Sequence, residues 1–487
     1  MEKLVGRINE VKELRRYYNS HRSEFVILYG RRRIGKTFLV NSVFEENFAF
    51  YFTGSHQADK ARQLERFAIA IQKYGNLSLM PSIDSWYHAF DALETILESS
   101  NAEGKKVVFI DEMPWIDNDT SPTHSQFVAA LEDFWNAWAA RRDDIMLIAT
   151  GSATSWMVDK LIGNHGGLYN RITCRIHLRP FTLNECEQYL RQHGSEWDRY
   201  AITQYYMCLG GVPFYLSLLD YSKTVEQNID DFFFHHSAKL EREFDDLYNV
   251  LFRDSEIYIE MVRLLAAHRE GMTREDILMK FSKSSGGWLT RVLTNLERCD
   301  FIEGFVAFGN KKKGKIYRLT DFFTLFYLKF VENDSTKHTG HYWIHRVLSP
   351  DVMAWQGLTY ELVALIHVEN LKQKFGISGM VTNESAWRSK QPTNNESQTK
   401  AQIDLVIERA DRLIHLCELK FSQEEYVISR EYEMRLRNKM SIFREETKTK
   451  KSLIMTFVTT YGVKKNLHSG IVMAEATIND LFMPLIN

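Results

Sequence analysis

At 487 residues, with 44% hydrophobic and 13% aromatic content, the chain is too long for one core and too apolar to be disordered, so three or four domains are expected. The 61 Lys and Arg residues against 63 Asp and Glu give a net charge of −2, which excludes a generally basic nucleic-acid coat protein but leaves room for local basic patches. The five scattered cysteines lack C-x-x-C spacing and read as reduced thiols. With no apolar targeting core and no run of about 18 apolar residues, a cytoplasmic protein without membrane contact is expected.

After a Val5-Gly6-Arg7 turn, an amphipathic helix is expected with Val11, Leu14 and Tyr17 on one side. The apolar run Phe25–Tyr29 then ends in Gly30-Arg31-Arg32-Arg33-Ile34-Gly35-Lys36-Thr37, a complete G-x-x-x-x-G-K-[ST] loop. Such a loop turns backbone N–H groups inward around a phosphate chain, and the following helix adds the positive end of its dipole. Nucleotide contacts are expected from Gly30, Ile34, Gly35, Lys36, Thr37 and Phe38. Lys36 would reach the β- and γ-phosphates, and the Thr37 hydroxyl would hold Mg²⁺.

A second buried-type strand, Val107–Ile110, runs straight into Asp111 and Glu112. Asp111 is placed to join the Mg²⁺ shell, and Glu112 to orient the attacking water. A third strand, Ile145–Ala149, ends at Thr150-Gly151-Ser152. Those polar residues read either as a γ-phosphate sensor or as a simple turn. No N-K-x-D guanine-reading segment is evident, so ATP is the expected nucleotide.

The parallel α/β core is expected to close near residue 180, at Arg179-Pro180-Phe181. Helical periodicity then continues to about residue 252, broken at Gly210-Gly211-Val212-Pro213, and fits a helical lid. Residues 253–335 read as three helices, the second capped by Thr273, followed by strands Phe301–Phe308 and Lys315–Leu319 around a lysine tip, Lys311–Lys313. That is the winged-helix order. The third helix would lie in a DNA groove, with Arg291 or Asn295 near base edges; the alternative is a packing unit with a solvated tip.

From residue 336 a further α/β domain is expected. Helix Ala354–Val368 carries Glu361, and a hairpin at one sheet edge carries Asp404 on its first strand and Glu418-x-Lys420 on its second. Residues two apart on a strand share a face. This suits Mg²⁺ held by Asp404 and Glu418, with Lys420 orienting a water for phosphodiester attack. The alternative is a charged strand edge.

The loop, the Phe109–Glu112 strand end, the Val5–Arg7 start and the Gly210–Pro213 segment together resemble an archaeal and bacterial ATPase family of the AAA+/STAND group. Its members join a P-loop ATPase to a winged helix and a C-terminal domain resembling PD-(D/E)xK nucleases. The resemblance implies a P-loop parallel sheet with helical lid over 1–180 and 181–252, a winged helix over 253–335 and a restriction-endonuclease-like domain over 336–487. It implies that Arg7 lies on the adenine side and that Pro213 closes over the nucleotide. It also makes Asp404, Glu418 and Lys420 the nuclease-type triad, with Glu361 as a fourth acid. Gln402-Ile403 stands before Asp404 where the family often has proline, a tolerated departure. Arg171 is the first choice of arginine finger and Arg175 the second. The expected partners are ATP and DNA, with RNA as an alternative, and a nucleotide-dependent homo-oligomer. Two functions compete: an ATP-regulated nuclease, and a nucleotide-controlled switch or scaffold with an inactive nuclease-like domain.

Overall fold

Apolar residues facing both sides of a strand require cover on both sides, and the first third of the chain supplies it. The computed structural model describes residues 3–100, 104–117, 125–152, 154–163, 167–252, 254–281, 286–309, 314–332, 341–389 and 401–486. They divide into two units. One comprises Met1–Pro180, Asn249–Arg253 and Thr294–Asp300, the other Phe181–Tyr248, Asp254–Leu293 and Phe301–Asn487.

In the first unit, strands β1 (Glu24–Tyr29), β2 (Phe50–Thr53), β3 (Lys106–Asp111), β4 (Ile145–Gly151) and β5 (Cys174–His177) form a sheet in the order β2-β3-β4-β1-β5, every pairing parallel. Alternation decides which side each residue fills. Phe25, Ile27, Val108, Ile110 and Leu147 pack on one face against Trp86, Phe90 and Trp135. Val26, Leu28, Val107, Phe109 and Ile148 pack on the other against Leu14, Leu39 and Val40. Leu14 belongs to helix α1 (Ile8–Tyr18), and Leu39 and Val40 to α2 (Lys36–Phe44). Because β4 lies between β1 and β3, the loop after β1 and the acids after β3 meet across the tip of β4. The strand order reverses beside β1, the switch point at whose carboxyl ends open α/β sheets bind their ligands.

The second unit starts with helices Leu183–Gln192, Arg199–Leu209, Pro213–Ser217 and Val225–Phe233. Helices Ser255–Ala267 and Arg274–Phe281 follow, then Gly287–Arg298, whose last residues count with the first unit. Thr273 and Asp276 cap the second of these three reciprocally, Asp276 N–H donating to Thr273 Oγ1 at 3.2 Å and Thr273 N–H to Asp276 Oδ2 at 3.2 Å. Strands β6 (Met272–Thr273), β7 (Ile302–Val306) and β8 (Lys315–Leu319) form an antiparallel sheet in the order β6-β8-β7. Lys311–Lys313 lie outside the described residues.

The C-terminal sheet holds β9 (Thr382–Arg388), β10 (Gln402–Arg409), β11 (Leu413–Lys420), β12 (Ser452–Thr459) and β13 (Ala474–Thr477), in the order β13-β12-β11-β10-β9. The hairpin does not lie at the sheet edge expected for it. β11 is the central strand, antiparallel to β10 and parallel to β12, because later strands that the charged hairpin did not announce cover its far side. The helix bearing Glu361 runs from Pro350 to Ile366 rather than to Val368. The five cysteines are free and buried. Among the described residues, no helix is long and apolar enough to cross a membrane.

Candidate functional site

The loop after β1 turns through backbone conformations that side chains resist. Gly30 has φ 144°, and a Cβ there would sit 2.3 Å from the Leu178 carbonyl oxygen; Gly35 caps α2 at φ 84°. The resulting turn brings Lys36 back across its own loop. Its buried Nζ donates to the carbonyl oxygens of Gly30 and Arg31 and to Ser152 Oγ, each at 3.0 Å. Burial pushes the Lys36 pKa down, opposed by Glu112 and Asp111. Three neutral acceptors thus hold a cation whose natural partner is an anion.

Thr37 Oγ1 donates to Asp111 Oδ2 at 2.9 Å, and the Thr150 hydroxyl donates to the other carboxylate oxygen. Burial pushes the Asp111 carboxyl up, against the Thr150 hydrogen bond. A hydroxyl beside a desolvated carboxylate is a donor set that suits a hard divalent cation. Glu112 sits in the left-handed region at φ 47°, a strained backbone of the kind that clusters at functional sites. Its carboxylate accepts from Ser152 N–H at 3.0 Å and from the Ser152 hydroxyl. Ser152 therefore ties Lys36 to Glu112. The sequence marked it only as part of a polar strand tip, because nothing local reveals which neighbours a β4 tip will meet.

The remaining nucleotide residues are distributed more widely. Arg7 is buried, and its Nη2 donates to the Ile34 carbonyl at 3.3 Å. Phe38 is 39% exposed. Arg171 lies in an exposed turn and Arg175 is exposed on β5. Among the described residues, neither joins the hydrogen-bond network of Lys36, Asp111 and Glu112. Pro213 is the first residue of helix Pro213–Ser217 in the second unit.

A parallel sheet, a glycine-turned loop closed on a lysine, and a Thr–Asp pair at neighbouring strand ends define a P-loop nucleotide-binding domain. Residues 4–219 match the model of an ATPase domain found predominantly in Archaea. A protein of Methanocaldococcus jannaschii is 24% identical over 369 residues, 74% of this chain and 76% of that protein. An ATP-binding protein of the same organism is 44% identical over 41 residues, 8% of this chain and 70% of that protein. Of solved structures, a Walker-type ATPase of Pyrococcus abyssi aligns at TM-score 0.47 and 18% identity, covering 67% of this chain and 96% of its own. The Aeropyrum pernix ORC2 protein aligns at TM-score 0.42 and 15% identity, covering 67% and 93%.

A second set of titratable residues gathers on the C-terminal sheet. Glu418 and Lys420 share a face of β11, with Lys420 Nζ 3.6 Å from Glu418 Oε2. The helix Arg430–Thr447 covers that face. Its Tyr432 hydroxyl donates to Glu418 Oε2 at 2.9 Å, and its Lys439 pairs with Oε1. Asp404 on β10 accepts from Gln402 Nε2 at 2.5 Å. Burial, then the Asp404 charge, pushes Glu361 up to about 8, and Glu361 makes no hydrogen bond or ion pair among the described residues.

Both Glu418 oxygens are engaged. Among the described residues no group of three or more His, Cys, Asp or Glu side chains is placed to hold a metal ion. Thr37 and Asp111 supply a hydroxyl and a carboxylate of the kind a hard divalent cation takes, whereas the two engaged Glu418 oxygens do not fit a cation shared with Asp404 as arranged. Tyr432 and Lys439 went unrecognised from sequence, since a helix that follows a strand carries no mark of which strand face it will cover.

Proposed function

We propose that the chain binds and slowly hydrolyses ATP, and that its nucleotide domain is coupled to a nucleic-acid-binding unit built of a winged helix and a PD-(D/E)xK-nuclease-like sheet. The observation that carries the ATPase reading is Lys36 held by neutral acceptors beside an Asp111–Thr37 pair and a strained Glu112. On nucleotide entry Lys36 exchanges its carbonyl acceptors for the β- and γ-phosphates, a stronger charge-assisted pairing. Thr37 and Asp111 would hold Mg²⁺, which when bound neutralises developing phosphate charge. Glu112, released from Ser152, accepts a hydrogen bond from the attacking water and orients it. Arg7 would face the adenine, Pro213 would close over it, and Arg171, or failing it Arg175, would act as the arginine finger.

For the second unit, the nearness of Asp404, Glu361, Glu418 and Lys420 supports a site that engages nucleic acid. The occupied Glu418 carboxylate supports the second reading, a switch or scaffold whose nuclease-like sheet binds without cutting. Labelled DNA and RNA incubated with Mg²⁺ or Mn²⁺, with and without ATP, separate the two. Cleavage lost in Asp404→Ala supports the nuclease; binding by the parent chain without cleavage under every metal supports the switch.

A further inference from the structure

A cavity of about 460 Å³ lies within the second unit, between the three-helix module with its β-hairpin and the C-terminal sheet. That volume falls in the range of small-molecule sites, about 300–1,000 Å³. Its walls carry Arg269 and Arg318 from the module, with Glu361 and Asp404 opposite. Arg269 Nη2 donates to Thr359 Oγ1 at 3.1 Å, but the buried Nη1 has no hydrogen-bond partner among the described residues. Arg318 lies over the Phe305 ring at 4.7 Å and donates through Nη2 to Glu303 at 2.7 Å, while its buried Nε is likewise unpartnered.

Arg269 and Arg318 both line this cavity and each keeps one buried N–H without an acceptor, a cost that an anion drawing the guanidinium into the cavity would relieve. Burial lowers the Arg269 pKa to about 10, with Glu361 the single charge opposing it. The remaining acids do not serve as that anion. Asp276 caps its own helix through Thr273, Glu270 faces His268 at 3.8 Å, and Asp404 accepts from Gln402.

We propose that this cavity is a phosphate-binding subsite in which Arg269, backed by Arg318, receives a phosphate of a nucleotide chain and presents it to Asp404 and Glu361. The inference rests on the reading of the second unit as a nucleic-acid site and adds to it the group that anchors the backbone. Arg is suited to the task because its planar fork meets phosphate oxygens two at a time.

The test uses the full chain carrying Lys36→Ala, so that the nucleotide loop does not contribute. Binding of fluorescein-labelled single-stranded and duplex DNA is read by anisotropy in EDTA, and binding of dAMP and inorganic phosphate by calorimetry. Arg269→Gln is expected to weaken DNA binding by about tenfold or more, with Arg269→Lys recovering part of it. Unchanged DNA binding by a folded Arg269→Gln chain overturns the proposal, as does loss confined to dAMP and phosphate, which would mark a free phosphorylated ligand. A lowered melting temperature with binding intact would assign Arg269 a structural role and also overturns it. If Arg269→Gln fails to fold, Arg318→Gln is read in its place, with a loss of about threefold expected and no loss overturning. Cleavage is scored separately. Arg269-dependent binding without cleavage sinks the nuclease reading and keeps this one, whereas metal-dependent cleavage unaffected by Arg269→Gln does the reverse.

Discussion

Lys36 is a buried amine whose charged form is disfavoured by desolvation and favoured by two nearby carboxylates. A phosphate chain is the partner that reverses this cost, so Lys36→Ala should lower ATP affinity by about tenfold or more, measured by calorimetry. Glu112→Gln should bind ATP like the parent and lose about 100-fold in turnover, because a water-orienting group acts mainly in the transition state. Equal losses of binding in both variants would contradict the division of roles. Glu361 makes a separate claim. Its folded pKa is raised from 4.5 to about 8, so the folded chain holds a proton that the unfolded chain has already released between those values. This stabilisation is complete below the unfolded value and is lost as pH rises through the folded one. Glu361→Gln should remove that dependence: its melting temperature should exceed the parent's by more at pH 8 than at pH 5. Parallel melting curves across that pH range would refute the raised pKa.

Helices Leu183–Gln192 and Arg199–Leu209 are joined to Pro213–Ser217 through Gly210 and Gly211, whose backbone lies against Phe181. A Cβ on Gly211 would fall 1.8 Å from the Phe181 carbonyl oxygen, and Phe181 N–H already donates to the Gly211 carbonyl at 2.6 Å. Gly211→Ala should therefore destabilise the second unit by about 1–3 kcal/mol, read from urea unfolding, because backbone rather than a movable side chain must shift. The element covering β11 makes a different prediction. Lys439 holds a Glu418 carboxylate that is 5% exposed. Lys439→Ala should cost about 1–3 kcal/mol, as expected when a buried charged group loses a partner. The same variant should gain Mn²⁺ binding in nucleotide-free calorimetry if this clasp is what keeps a cation out. A chain that loses stability and gains no Mn²⁺ would favour the switch reading.

Across the whole molecule, the end of helix Gly287–Arg298 belongs with the first unit. Ser155 Oγ donates to Asn295 Oδ1 at 2.7 Å, and Arg298 pairs with Asp159 at 2.7 Å. Asn295 thus faces protein where a groove-reading helix would face bases. Ser155 follows the segment whose Ser152 holds Lys36 and Glu112, so a nucleotide that withdraws Lys36 from Ser152 acts on residues beside that contact. ATP is accordingly expected to change the affinity for labelled DNA about threefold or more in the parent and not in Lys36→Ala. Equal affinities with and without ATP in the parent would remove the coupling.

The phosphate loop, the Asp111-Glu112 strand end and the parallel α/β class were legible in the sequence, because each depends on neighbours along the chain. Glycines set the loop, apolar runs mark strands buried on both faces, and period-2 alternation assigns their sides. The spacing of Glu418 and Lys420 likewise fixed their common face, a property of any strand. The position of β11 at the sheet's centre, the Ser152 bridge, the hold of Tyr432 and Lys439 on Glu418 and the unpartnered N–H of Arg269 were decided by the tertiary structure alone. Each joins residues distant in the chain or on separate elements, and their meeting follows from strand order and helix docking, which local periodicity does not encode.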